Sequence, residues 1–275
     1  MFRYLVLLFF IPLYIFCESK ILVFAPLPME DVKTTYLQFS PLAKYLEKQL
    51  DLKIKIDYNT SYDEVLKKFV EEKIDIAYLG PLPFLSLEKI YPDLVPLVNF
   101  KNQNGDISYT CSFVSFITNF KPIKDLTNTK IALTQPLSTC GYLFVNNILE
   151  NKDSNIEKNK YKYLGRHDKV ALSVIRNEFE YGGLKTNIAK EYSHLGLKEL
   201  VHSKPIPNFI LVANAKSLNI KLIKKIKDTL LLLNNQDLSK WHESLKFGVK
   251  ETNLEDYNHL RELIESTKIP HQGNF

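Results

Sequence analysis

Ser138, Thr139, Cys140 and Gly141 stand in a row where a strand-like run, KIALT, gives way to a helix-like one, GYLFVNNILEN. Hydroxyl and thiol hydrogens are donors, and the first turn of a helix leaves backbone N–H groups free at the positive end of its dipole. Together these groups would make a receptor for an anion. Ser138 and Thr139 could wrap a tetrahedral oxyanion, and Gly141 would let the backbone come close. Donors without net charge suit a site that must release its anion again. The plainer reading of the same residues is a helix cap by Ser138 or Thr139. Cys140 admits a second chemistry: near a helix N-terminus, with His167 in the same cleft, it could form a thiolate–imidazolium nucleophile pair. Against this, the chain offers no obvious third residue to orient the histidine. The six histidines show no ligand-type spacing, so neither a metal nor a cofactor is expected.

The elements around this stretch alternate. KILVFAP, KIKIDY and IDIAYL read as strands, separated by helix-like segments such as TTYLQFSPLAKYLEKQL and SYDEVLKKFVEEK. In the latter, Ser61 with Glu64 three residues on has the pattern of a capping box. Such βαβαβ order predicts an α/β layering with mostly parallel sheets. A polar loop, KNQNGDIS, breaks the chain, and a second α/β unit follows it, from YTCSFVSFIT through HDKVALSVIRNEF to YGGLKT. SKPIPNFILVANAK then leads out of that unit. The expected architecture is therefore two lobes joined by two crossing segments: residues 18–107 with 208–275 form the first, and residues 108–207 the second. A small ligand would sit in the cleft between them, outside the carboxyl ends of the strands.

The N-terminus, MFRYLVLLFFIPLYIFC, has one early charge, Arg3, and an apolar run from Tyr4 to Phe16. That run is shorter than the roughly 20 residues needed to span a bilayer. It has the layout of a secretory signal peptide over residues 1–17. Lipidation of Cys17 is the rival reading, although bulky Phe16 suits it poorly. Export to an oxidising compartment would permit Cys111 and Cys140 to pair, but their spacing does not show whether their Cα atoms approach within about 7 Å. The net charge of +5 comes from lysines and arginines interspersed with acids, which predicts a mildly basic solvated surface, with no nucleic-acid partner and no polyanion site.

Five stretches in order carry a resemblance over nearly the whole exported chain: DIAYLGPLPF, STCGYLF, LGRHDKVALSVIRNEFEYGGL, SKPIPNFILVAN and LEDYNHLREL. They resemble the substrate-binding proteins of phosphate, phosphite and phosphonate ABC importers, which have the type II periplasmic-binding fold. The resemblance implies a monomeric, periplasmic protein that captures a small oxyanion between its lobes, closes by hinge motion near Ser108 and Pro205 to Pro207, and docks on an ABC transporter permease. No chemistry would occur. A binding lobe that serves a membrane sensor is the alternative. By the resemblance, Ser138, Thr139 and His167 would donate to the oxyanion, with Tyr78 and Tyr109 as further phenol donors. Glu180 would accept a hydrogen from a protonated oxyanion or bind an amino group on the ligand. Two departures stand out. Cys140 replaces the last serine of the oxyanion loop and is a weaker donor, and Phe84 replaces a tyrosine, so an apolar part of a ligand could lie against it.

Overall fold

The computed structural model describes residues 21–118 and 121–275. The expected signal peptide and Cys17 lie outside the described residues. Among those described, no helix is long and apolar enough to cross a membrane.

The chain begins with strand β1 (Ile21–Pro26), helix α1 (Val32–Leu50), β2 (Lys53–Ile56), α2 (Tyr62–Val70), β3 (Ile76–Leu79), α3 (Pro81–Ile90) and β4 (Leu94–Phe100). Local sequence sets the helix starts. The Asp31 carboxylate accepts from the N–H groups of Lys33 and Thr34 to begin α1, and the Ser61 hydroxyl accepts from Glu64 N–H at 3.1 Å to begin α2. The predicted capping box is thus half formed: the Glu64 carboxylate reaches back to the N–H of Thr60, one residue earlier than the box requires.

β5 (Ser108–Tyr109) crosses to a second set of elements: β6 (Cys111–Phe116), β7 (Lys130–Leu133), a π turn at Thr139–Leu143 running into α4 (Phe144–Glu150), β8 (Lys160–Tyr163), α5 (His167–Ile175), β9 (Tyr181–Lys185), α6 (Thr186–Glu191) and β10 (Leu197–His202). β11 (Ile206–Pro207) crosses back, followed by β12 (Ile210–Asn214), α7 (Ile220–Leu231), α8 (Asn235–Leu238), β13 (Val249–Glu251) and α9 (Asn258–Ser266). The crossing strands pair antiparallel with each other, Ile206 opposite Tyr109 and Pro207 opposite Ser108.

Two sheets result, in the orders β13-β4-β12-β3-β1-β2 and β10-β6-β9-β7-β8. The two-lobe α/β arrangement is the one the sequence predicts, but both sheets are mixed and not mostly parallel. β1 is parallel to β2 and β3, and β7 to β8 and β9. The strands next to the crossings, β12 and β6, run antiparallel to their neighbours. Each of these strands adjoins a crossing segment, so it enters its sheet without an intervening helix and is not held to the parallel direction that βα connections impose.

The LEDYNHLREL stretch is structural. Arg261 forks onto the Glu88 carboxylate with contacts of 2.9 to 3.1 Å, tying α9 to α3, and the fully buried Tyr257 accepts from Asn99 at 2.7 Å. After α9 the chain makes a third crossing. Asn274 N–H donates to the Tyr161 carbonyl while its side chain accepts from Tyr161 N–H and donates to the Asn159 carbonyl. The Tyr163 hydroxyl also donates to the Pro270 carbonyl. Residues 267–275 therefore strap the first lobe to edge strand β8 of the second.

Cys111 and Cys140 form a disulfide, with Cα atoms 5.1 Å apart. It ties the first residue of β6 to the π turn across 29 residues, which by loop closure is worth about 3 to 4 kcal/mol. Replacing both cysteines by serine is expected to lower the melting temperature by about 6 to 16 °C; an unchanged melting temperature in calorimetry would show that the bridge contributes nothing.

Candidate functional site

Where the two sheets face each other, four helix starts converge on one chamber. Its lining includes Tyr62, the first residue of α2; Gly80, the N-cap of α3; Ser138, Thr139 and Cys140 at the start of the π turn; and His167, the first residue of α5. The positive ends of these helix dipoles therefore point to one place from both lobes. The chamber is a small cavity of about 10 Å³.

Two side chains of the second lobe close it by capping helices of the first. Gln135 Oε1 accepts from Tyr62 N–H at 2.9 Å, while its amide donates to the Gly165 carbonyl at 2.8 Å. Thr139 Oγ1 accepts from Leu82 N–H at 3.1 Å. The Tyr62 and Leu82 bonds are buried, so loss of either acceptor would leave a buried donor unmet, at about 1 to 3 kcal/mol.

The second lobe can bring its turn and helix so near because β9 carries a glycine pair. A Cβ on Gly183 would meet Val145 at 2.4 Å and the Cys140 carbonyl at 2.6 Å, and one on Gly182 would meet Val170 of α5 at 2.7 Å. Successive residues of a strand point to opposite faces, so one glycine admits the π turn and the other admits α5. Gly141 serves packing in the same way, with only 3.0 Å to spare beside the Gln135 carbonyl and Thr134. It does not line the chamber.

His167 is buried, and its Nδ1 accepts the Lys185 backbone N–H at 3.3 Å. That bond leaves the proton of the neutral ring on Nε2, free to donate into the chamber. Burial, and then the Lys185 ammonium, push its pKa down to about 3, with Asp168 pulling the other way. Burial likewise raises the Tyr109 phenol, against a smaller pull from the Thr139 hydroxyl, so Tyr109 is a neutral donor at the chamber wall. Glu30, in the first lobe, is pushed up to about 7 by burial first and then by Asp168 and Glu191, although Arg166 opposes this.

Several expectations are corrected. The Cys140 sulfur is in a disulfide, so it donates no S–H and offers no thiolate to His167; the nucleophile pair is not available. Tyr78 is fully buried, stacked on Phe209 at 4.9 Å between ring centres, and faces the core instead of the chamber. Phe84 packs on Tyr257 at 4.9 Å in the core, so no ligand lies against it; Pro83 lines the wall instead. Glu180 precedes β9 at the far end, where it accepts from Lys130 N–H at 2.9 Å and faces Lys121 at 3.8 Å. Five residues along an extended strand is about 17 Å.

At the end of β9 that does reach the chamber stands Lys185, which the sequence reading missed together with Gln135, Tyr62 and Phe209. A signal existed for the lysine: it closes a strand whose carboxyl end had to face the cleft. Its ammonium lies 4.8 Å from the Tyr109 ring centre and 4.7 Å from that of Phe209. Burial pushes its pKa down to about 8, against a weaker pull from Glu191.

The family described as ABC transporter, phosphonate, periplasmic substrate-binding protein matches residues 24–271. A phosphate-import protein, PhnD, of Mycolicibacterium smegmatis is 23% identical over 221 residues, covering 74% of this chain and 68% of that protein. A probable ABC transporter phosphite binding protein, PhnD1, of Prochlorococcus marinus is 23% identical over 184 residues, 63% of this chain and 61% of its own length. In structure, Prochlorococcus marinus PhnD1 in complex with methylphosphonate superposes with a TM-score of 0.78 at 18% identity, covering 90% of this chain and 97% of that one. A binding protein component of an ABC phosphonate transporter from Pseudomonas aeruginosa gives 0.77 at 16% identity, with 90% and 86% covered.

The state of His167 has a consequence in acid. In the unfolded chain it titrates near 6.5 and in the folded protein near 3, so between these values the unfolded state binds more protons and stability falls as pH drops. Glu30 acts with the opposite sign between about pH 4.5 and 7, but equally in parent and variant. The parent is therefore expected to lose melting temperature from pH 6.5 to 4.5 more steeply than His167→Gln does; parallel melting profiles would refute a neutral buried His167.

Proposed function

Because the chain belongs to the phosphonate family of periplasmic ABC-transporter substrate-binding proteins, we propose that its chamber captures a small phosphorus oxyanion for delivery to a membrane permease. The observation that carries this reading is the convergence of four helix starts, with Ser138, Thr139, Tyr109 and His167 as neutral donors, on a space fit for one compact group. Such a site meets a negative charge mainly with neutral hydrogen bonds and dipole ends, with the Lys185 ammonium at its edge. The names of the relatives, for phosphate import and phosphite binding, and the methylphosphonate in the Prochlorococcus complex point to the same ligand class.

The mechanism follows from the cleft. With the lobes apart, the N–H groups of Tyr62 and Leu82 and the donors of the π turn face water. The oxyanion settles against Ser138, Thr139 and the first N–H groups of the turn. Rotation at the paired crossings, β5 and β11, then brings Gln135 and Thr139 onto α2 and α3, and His167 Nε2–H and the Tyr109 hydroxyl complete the shell. The lobes in this reading are residues 18–107 with 208–275, and residues 108–207. The closed lobes present one joined surface to the permease of an ABC importer, outside the cytoplasmic membrane, and no bond of the ligand is made or broken. All residues of the chamber come from one chain, so a monomer suffices.

Thermal-shift titration with phosphate, phosphite, methylphosphonate and sulfate tests this. At a hundredfold excess over the dissociation constant, a bound ligand adds about 2.7 kcal/mol, or roughly 5 to 11 °C. At least one phosphorus oxyanion is expected to give such a shift, and Ser138→Ala to weaken its binding about tenfold or more. No shift with any of the three would overturn the reading, and full affinity in Ser138→Ala would remove the π turn from the site.

A further inference from the structure

The chamber does not end blindly. Tyr109 and Lys185 line both it and an outer recess of about 310 Å³. The outer walls carry Lys101, Lys190, Asn102, Asn208 and Ser244, with Glu243 the single carboxylate among them. Lys185 stands on the boundary. Among the described residues no carboxylate pairs with its ammonium, which lies against the faces of Tyr109 and Phe209. Glu191 reaches it only through its field, and no described group accepts a hydrogen bond from it.

A half-buried ammonium held on two aromatic faces without an anion is costly unless a partner arrives. The chamber is far smaller than the recess, and the two share Tyr109 and Lys185, so a substituent on a head bound in the chamber has room past Lys185 in the recess. We infer that the ligand carries a second anionic group, a carboxylate joined by a short chain to the phosphorus oxyanion, which Lys185 receives at the mouth of the recess. This rests on the reading that the chamber holds a phosphorus oxyanion, and it inverts the charge preference that Glu180 would have conferred. A carboxylate near the head would have welcomed an ammonium substituent. The strand direction instead leaves Glu180 at the far end of β9 and sets a lysine in the cleft. At pH 7 the lysine remains largely protonated, its pKa being about 8. Three lysines against one glutamate leave the recess positive, which disfavours an amino-substituted ligand along its whole length.

Calorimetric titration at pH 7 decides the matter, with methylphosphonate, phosphonoacetate, 3-phosphonopropionate and 2-aminoethylphosphonate as probes. The purified protein is expected to bind at least one phosphonocarboxylate about tenfold or more tighter than methylphosphonate, and 2-aminoethylphosphonate more weakly than either. Lys185→Met is expected to flatten that ranking by losing affinity for the phosphonocarboxylates, and Lys185→Arg to keep it. Equal affinity for methylphosphonate and both phosphonocarboxylates, or a ranking that survives Lys185→Met, would overturn the inference and leave the oxyanion reading intact. Failure of all four probes, and of phosphate and phosphite with them, would overturn both.

Discussion

The first N–H groups of every helix need acceptors, and in this chain several of them point into the same gap. α2 and α3 begin on one lobe, and the π turn and α5 on the other, each directly after a strand whose carboxyl end faces the cleft. Leaving such donors dry and unmet is expensive, so the closed arrangement depends on what is placed between them. Gln135 and Thr139 answer two of them across the gap. The others face a space shaped for a charge that they jointly favour. Lobe closure and anion recognition thus draw on one set of backbone groups, and neither can be altered without the other.

The scaffold holds this geometry by close approach more than by polar contacts. Gly182 and Gly183 let α5 and the π turn press on the two faces of β9, and the disulfide pins the turn to β6 from the other side. Lys185 and His167 then meet through one hydrogen bond, which settles the histidine tautomer. Substituting Gly183 would move the π turn itself, since the obstructing atoms include the Cys140 carbonyl, and substituting Gly182 would press on Val170 of α5.

What could be read in the sequence was local. Ser138, Thr139 and His167 are legible because each opens a helix directly after a strand, so their place follows from their immediate neighbours. Ser61 capping α2 is legible for the same reason. The errors came where long-range packing decides. Tyr78 and Phe84 adjoin a genuine helix start, yet their side chains turn inward to rings of the core. Glu180 and Lys185 stand at opposite ends of one short strand, the first just before it, and only the direction of β9 in its sheet says which end faces the chamber. The bridge between Cys111 and Cys140 depends on β6 lying beside β9, an antiparallel pairing that no local pattern announces.

The strap formed by residues 267–275 changes what the hinge can do. Two paired strands alone would let the lobes twist, shear and gape. A third connection, the C-terminal segment held by hydrogen bonds of Asn274 to the backbone at Asn159 and Tyr161, restricts those freedoms. The unliganded protein then samples a narrow arc instead of a wide cone of orientations, and less rotational entropy is lost when it shuts. A protein so tethered can hold a very small cargo with few contacts, because much of the cost of ordering its two halves has already been met during folding.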